Sequence, residues 1–130
     1  MRFTIAVHGA PYASQSQHHA LQFCRACVRN GHQIARVFFY HEGVYAALAG
    51  RVAPQDEADI TAEWRELAAE HAFELAVCIA NGLKRGVING SEAERYGIEH
   101  PSLAPGFELV GLGQLIDAIV NSERYVEFPA

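Results

Sequence analysis

The stretch Leu75-Ala76-Val77-Cys78-Ile79-Ala80-Asn81-Gly82 decides the fold, because it joins a buried strand to a thiol at the end of that strand. Its first four residues form an apolar run of strand length, and the small residues that follow predict a flexible connection. Open α/β sheets bind ligands beyond the carboxyl ends of their parallel strands. Cys78 is therefore a candidate reactive thiol, and the alternative is a buried thiol that only fills space at a strand end.

Short apolar strands alternate with helical patterns on both sides of this stretch. Strands are predicted at residues 3–7, 34–40, 74–78, 107–110 and 124–128. Helices are predicted at residues 42–48, 60–71, 91–96 and 112–120, in addition to one that Ser14 or Ser16 caps and that runs to residue 30. Such alternation is typical of a parallel sheet covered on both faces. We predict an α/β fold: a single domain with a mainly parallel sheet of about five strands and helices on both faces.

Composition excludes several classes of protein. The chain has 130 residues, of which 50% are hydrophobic and 19% charged, and this fits one globular domain. A net charge of −5 gives no electrostatic attraction to nucleic acid. No apolar run approaches the roughly 20 residues of a membrane span. The first residues do not resemble a signal peptide, and an odd number of cysteines does not suggest a disulfide framework. We therefore expect a cytoplasmic protein with reduced thiols.

Residues 24–27, Cys-Arg-Ala-Cys, have the spacing of dithiol oxidoreductases. In those proteins the first cysteine stands at a helix N-terminus, which stabilises its thiolate. Here Cys24 and Cys27 lie inside a predicted helix and on its apolar stripe, which favours a role in the core. A redox role remains the alternative, and it predicts a disulfide between the two. A zinc site would need two further ligands. The sequence offers no second C-x-x-C and no H-x-x-x-H, so we expect no metal or other cofactor.

Several polar residues are candidates to surround Cys78. Lys84 and Arg85 follow it closely and would stabilise a thiolate, unless they are simply solvated surface. His8 and Tyr40 each follow a predicted strand, so they fall at the same edge of the sheet. His8 is predicted to line the cleft. The loop of residues 9–14 precedes a helix and either cradles an anion or only shapes the cleft.

The segment of residues 38–45 contains four aromatic side chains, and two interpretations stay open for each of them. Part of the segment must be core strand. The rest would form an exposed apolar patch, which usually marks a protein partner. His41 lies in this segment and is a candidate for a subunit contact.

The ordered set of motifs resembles the DsrE/TusD group of sulfurtransferase subunits, over essentially the whole chain. The segments that carry the resemblance are residues 1–3, 31–32, 37–40, 42–44, 64, 77–80, 85–87, 92–93 and 111–115. No single segment would suffice, but the set in this order and spacing is specific. The resemblance implies one domain of this type over residues 1–130.

The resemblance also implies a function, which is persulfide relay. In this family the cysteine that matches Cys78 carries the sulfur, either for 2-thiouridine at the tRNA wobble position or in dissimilatory sulfur oxidation. The implied partners are two small homologous subunits, two copies of each of the three forming a heterohexamer, together with a sulfur donor and a sulfur acceptor protein. An assembly subunit with an inert Cys78 is the alternative.

Overall fold

Five strands form one sheet in the computed structural model, which describes all 130 residues. They are β1 (Arg2–Val7), β2 (Gln33–Phe39), β3 (Glu74–Cys78), β4 (Phe107–Val110) and β5 (Arg124–Phe128). Their order across the sheet is β4-β3-β2-β1-β5, and every neighbouring pair is parallel. The predicted α/β fold with a five-stranded parallel sheet is confirmed, and three strands have the predicted bounds.

Five helices and one 3₁₀ segment connect the strands. They are α1 (Ser16–Arg29), the 3₁₀ segment (His41–Ala47), α2 (Ile60–His71), α3 (Ile79–Lys84), α4 (Gly90–Tyr96) and α5 (Leu112–Val120). At the start of α1 the Ser14 hydroxyl accepts a hydrogen bond from the Ser16 amide at 3.1 Å. Helix α4 begins one residue earlier than predicted, because Asn89 caps it by accepting from the Glu92 amide.

Helix α3 corrects one sequence prediction. Residues 79–82 were expected to form a flexible connection, but the chain enters a helix directly after Cys78. Gly82 lowers the intrinsic helix propensity of this segment, which is why the sequence pattern favoured a loop. A Cβ atom at Gly82 would lie 2.9 Å from the Val87 carbonyl oxygen. Glycine therefore allows this helix to lie against the chain that follows it.

One face of the sheet carries the main hydrophobic core, beneath α1 and α2. Alternate strand residues such as Val37 and Val77 point into it, and Cys24 and Cys27 join it from α1. Both cysteines are free thiols. The predicted core role of the C-x-x-C pair is thus confirmed.

Burial of Cys24 has a consequence at alkaline pH. Desolvation raises the pKa of the Cys24 thiol well above its ordinary value of 9.0, and the neighbouring Cys27 raises it further. Above pH 9.0 the unfolded chain loses this proton while the folded chain keeps it, so stability falls as the pH rises. Replacing Cys24 with Ala should make the fall in unfolding free energy shallower by up to about 1.4 kcal/mol per pH unit.

Urea unfolding at a series of alkaline pH values measures that slope. The slope near neutral pH is the internal control, because Cys24 is protonated in both states there. Equal alkaline slopes for the parent and Cys24→Ala would contradict the prediction.

The second face of the sheet is covered by α5. The Thr4 hydroxyl donates to the Ala118 carbonyl at 3.0 Å, and Leu115 packs over the centre of the sheet. Ala118 is the one residue of this helix that is fully buried. Helices thus lie on both faces, as predicted, but the layer on this face is thin.

Helix α5 leaves a row of large apolar side chains in solvent. Leu112, Ile116 and Val120, here called the α5 stripe, are 51%, 56% and 75% exposed. They recur every four residues and therefore share one side of the helix. None of the helices combines the length and the apolar character needed to cross a membrane.

Candidate active site

The carboxyl ends of three adjacent strands bring His8, Tyr40 and Cys78 to one edge of the sheet. Val7 pairs with Phe39, and Phe39 with Val77, so the next residue of each strand stands side by side. The rings of His8 and Tyr40 meet edge to face, with centroids 5.6 Å apart. The shared location predicted from the sequence is confirmed.

Cys78 lies on the α5 face of the sheet, apart from the main core. It is 4% exposed and forms a small buried cluster with Phe38 and Ala76. Three partly buried side chains pack against this cluster: Tyr40, Val110 and Leu115. The sulfur therefore sits in an apolar setting that excludes water, behind a cover that is itself only partly buried.

Asn81 is the polar group that reaches the sulfur. Its Nδ2 donates to the Cys78 Sγ at 3.1 Å, and the residue is 9% exposed. Sequence reasoning missed this contact because it treated residues 79–82 as flexible. The i, i+3 spacing of Cys78 and Asn81 was the available signal, since a helix places such side chains on one side.

Arg85 contacts Asn81 rather than Cys78. Its Nη1 donates to the Asn81 Oδ1 at 3.1 Å and to the Asn81 carbonyl at 3.3 Å. Its Nε donates to Glu42 Oε1 at 3.0 Å. Lys84, the other predicted cation, is exposed and makes no ion pair, as expected of solvated surface. The Arg85 charge thus acts on the sulfur through one amide.

The 3₁₀ segment holds Glu42 in place because it approaches the end of β1 closely. A Cβ atom at Gly43 would lie only 2.2 Å from the Val7 carbonyl oxygen. The Gly43 amide also donates to the Tyr40 carbonyl at 2.8 Å. Glycine at this position therefore sets where Glu42 meets Arg85.

A second polar group occupies the same edge beside β5. The Nδ1 atoms of His8 and His41 are 3.1 Å apart, so one ring donates and the other accepts. His8 Nε2 lies 3.7 Å from Glu127 Oε1, which also accepts from the Tyr125 hydroxyl. Burial, followed by that hydrogen bond, raises the pKa of Tyr125. The two histidines therefore contact each other at this edge of the sheet.

The structure assigns different roles to the two remaining segments, residues 38–45 and the loop of residues 9–14. Within residues 38–45, Phe38, Phe39 and Val44 are core, whereas Tyr40 and Tyr45 are only partly buried. A buried hydrogen bond fixes the loop of residues 9–14, since the Gln17 side chain donates to the Gly9 carbonyl at 2.9 Å. This favours the interpretation that the loop shapes the cleft. No three His, Cys, Asp or Glu side chains converge as metal ligands.

Fold and site together define a class of small α/β protein, in which one shielded cysteine stands at the carboxyl end of a parallel strand. The chain belongs to the DsrE/DsrF-like family, whose sequence profile matches residues 1–128. The resemblance inferred from the ordered motifs is therefore confirmed.

Two curated relatives match over nearly their whole length. The Sulfurtransferase TusD of Salmonella newport is 43% identical over 128 residues, which cover 98% of this chain and 100% of the relative. The Sulfurtransferase TusD homolog of Pseudomonas aeruginosa is 45% identical over 128 residues, covering 98% and 97%.

Solved structures share the fold at lower sequence identity. The ychN protein from E. coli superposes with a TM-score of 0.78 at 22% identity, over 98% of this chain and 99% of that one. The protein MTH1491 of Methanobacterium thermoautotrophicum gives a TM-score of 0.62 at 13% identity, over 97% of each chain.

Proposed function

We propose that this chain is a sulfurtransferase subunit of a sulfur relay, and that Cys78 accepts a persulfide sulfur and passes it on. The observation that carries the proposal is the setting of Cys78. Among the three cysteines, it alone stands at the edge of the sheet where the carboxyl ends of the strands meet, and it alone receives a side-chain hydrogen bond. Both curated relatives are named as sulfurtransferases, and their 43% and 45% identity extends over this region.

The transfer is an exchange between sulfur atoms without net oxidation. The Cys78 thiolate attacks the terminal sulfur of a donor persulfide, R–S–SH, forming a new S–S bond while the S–S bond of the donor breaks. The donor leaves as R–S⁻, and the transferred sulfur with its proton becomes the Cys78 persulfide. An acceptor thiolate then attacks that outer sulfur, and Cys78 leaves as a thiolate.

The apolar walls around Cys78 suit an intermediate that must be kept from water. Phe38 and Ala76 form the base of this apolar site, and Leu115 forms part of the cover over the Cys78 sulfur. A persulfide is longer than a thiol by one sulfur atom, so its outer sulfur extends toward that cover. We infer that donor and acceptor approach from the side of α5.

Assembly with homologous subunits is the second part of the proposal. The α5 stripe exposes Leu112, Ile116 and Val120 together, and side chains of this size in solvent favour a protein partner. We infer two small homologous subunits in a heterohexamer, which exchanges sulfur with separate donor and acceptor proteins. The net charge of −5 is consistent with no direct contact with nucleic acid.

The sulfur is proposed to serve 2-thiouridine formation in tRNA rather than dissimilatory sulfur oxidation. The TusD name of both curated relatives favours this branch. The three free thiols suit a reducing compartment, so we propose the cytoplasm as the location.

The test is the intact mass of the protein after incubation with a persulfide donor. The parent should gain the mass of one sulfur atom, and a reducing agent should remove it. Cys78→Ser should gain none, whereas the matched control Cys27→Ser should load like the parent. If Cys78→Ser gained sulfur at the parental rate, the proposal would be wrong. If the parent protein gained no sulfur, the result would favour an assembly subunit with an inert thiol.

A further inference from the structure

We propose that Asn81 is a second catalytic residue, which donates a hydrogen bond to the Cys78 sulfur when that sulfur is negatively charged, and that Arg85 positions it. This inference rests on the proposed function of Cys78. It assigns a role to a helix that the sequence had suggested was a loop. Three observations carry it: the contact with sulfur, the fixed orientation of the amide, and its burial.

The orientation of the Asn81 amide follows from its neighbours. A guanidinium group has only donors, so the atom of Asn81 that faces Arg85 Nη1 must be Oδ1. The other end of the amide, Nδ2, is then the atom that faces Cys78 Sγ at 3.1 Å. The reverse orientation would set two donors against each other at Arg85. The site therefore presents a donor to the sulfur.

This arrangement suits a sulfur that accepts and does not donate. Asn81 Oδ1 faces Arg85 and not the sulfur, so the amide offers Cys78 a donor and no acceptor for the proton of a neutral thiol. A thiolate is a stronger acceptor than a thiol, and a hydrogen bond to a charged group is stronger than one between neutral groups. Asn81 is 9% exposed, so water competes little for its amide.

Both half-reactions pass through a charged Cys78 sulfur. In loading, the thiolate is the attacking group, and the Asn81 donor stabilises its negative charge with a charge-assisted hydrogen bond. In discharge, Cys78 is the leaving group, and a stabilised thiolate leaves faster. One amide therefore promotes both steps.

The positive charge of Arg85 contacts the Asn81 amide and not the Cys78 sulfur. Arg85 Nη2 lies 2.9 Å from Glu42 Oε1, so its positive charge is partly balanced. Among the other titratable side chains, Tyr40 packs beside the cluster that contains Cys78. We infer that Arg85 and Glu42 orient Asn81 and do not bind the transferred sulfur directly.

The alkylation rate of Cys78 in the full-length protein tests the role of Asn81. Iodoacetamide is used at neutral pH and at an alkaline pH well above the pKa of an ordinary thiol, and peptide mass spectrometry separates Cys78 from the other cysteines. Asn81→Ala should lower the neutral rate about tenfold, the value of one hydrogen bond to a charged group. The alkaline rate should not fall, because a thiolate without the stabilising donor is intrinsically the stronger nucleophile. Equal rates at neutral pH, or equal losses at both pH values, would overturn the proposal.

The variant Asn81→Asp distinguishes loss of the hydrogen-bond donor from a purely structural effect of the substitution. It keeps the shape of the side chain and an oxygen for Arg85, but it has no Nδ2 donor and adds a negative charge near the sulfur. We expect it to react more slowly than Asn81→Ala at neutral pH. A role limited to holding Arg85 predicts the opposite, namely a rate like that of the parent.

Two further variants test the positioning role of Arg85. Arg85→Ala should slow alkylation at neutral pH, whereas the matched control Lys84→Ala removes an unpaired cation next to it and should not. Equal effects of the two would contradict the positioning role.

Sulfur loading of the same variants separates this inference from the proposed function. If alkylation depends on Asn81 but no variant gains sulfur, the sulfur-carrier proposal fails and the role of Asn81 remains. If Cys78 loads and discharges at the same rate in Asn81→Ala as in the parent, the role of Asn81 fails and the sulfur carrier remains.

Discussion

Iodoacetamide should label Cys78 at neutral pH at least about tenfold faster than it labels Cys27, the value of one hydrogen bond to a charged group, although the two thiols are almost equally buried. Their exposed fractions are 4% and 5%. Burial raises the pKa of Cys27, so little of it is thiolate at neutral pH. Each unit by which a thiol's pKa rises lowers its thiolate fraction about tenfold. Cys78 instead receives a hydrogen bond from Asn81, and such a bond is strongest when its acceptor is charged.

The matched exposure of Cys78 and Cys27 makes this comparison informative. Quenched labelling followed by peptide mass spectrometry gives both rates from a single sample, so differences in folding cancel. Cys24, which is fully buried, provides the slow reference. Labelling of Cys78 no faster than Cys24 would identify an inert thiol and support the assembly-subunit alternative.

Trp64→Ala should lower the free energy of unfolding by about 3–5 kcal/mol, the usual loss for truncating a large buried aromatic side chain. Trp64 is fully buried in the main core, and its ring meets Phe39 edge to face at 5.3 Å. Its Nε1 also donates to Gln17 Oε1 at 2.8 Å. The substitution leaves a cavity and removes the partner of a buried acceptor.

Trp64→Phe separates the two contributions, since it keeps most of the ring but loses the donor to Gln17. We expect a loss of about 1–3 kcal/mol for it, because a buried acceptor is then left without its partner. Urea unfolding followed by circular dichroism measures both variants, because the chain has no other tryptophan for fluorescence. A loss below about 1 kcal/mol for Trp64→Ala would contradict the described core.

The sheet could be predicted from the sequence because each strand is a short apolar run bounded by turn residues. Strand β3 was found at its actual bounds for this reason, and Cys78 was found with it. Helix α3 was missed because its six residues include Gly82 and are too few to display a helical period. The contact of Asn81 with the sulfur depends on that helix, so it was missed as well.

The sequence pattern also could not show which face of the sheet each apolar residue occupies. Phe38 and Phe39 look alike in the sequence, yet strand alternation sends Phe38 toward Cys78 and Phe39 toward Trp64. Similarly, the apolar residues of α5 predicted a helix but not that Leu112 and Ile116 would stay in solvent. Such assignments depend on which neighbour covers each face, and this is a tertiary property.

The sheet has a thickly covered face, which provides most of the buried core, and a thinly covered face, on which Cys78 lies. Leu115, which forms part of the cover over Cys78, belongs to α5, in which a single residue is fully buried, whereas the main core lies on the opposite side. Segments with few buried contacts open locally at a lower free energy than the whole domain unfolds. A local fluctuation of α5 would therefore expose the thiol while the layer around Trp64 stays closed. Substitutions in α5 should accordingly change access to Cys78 with little loss of the stability that the main core provides.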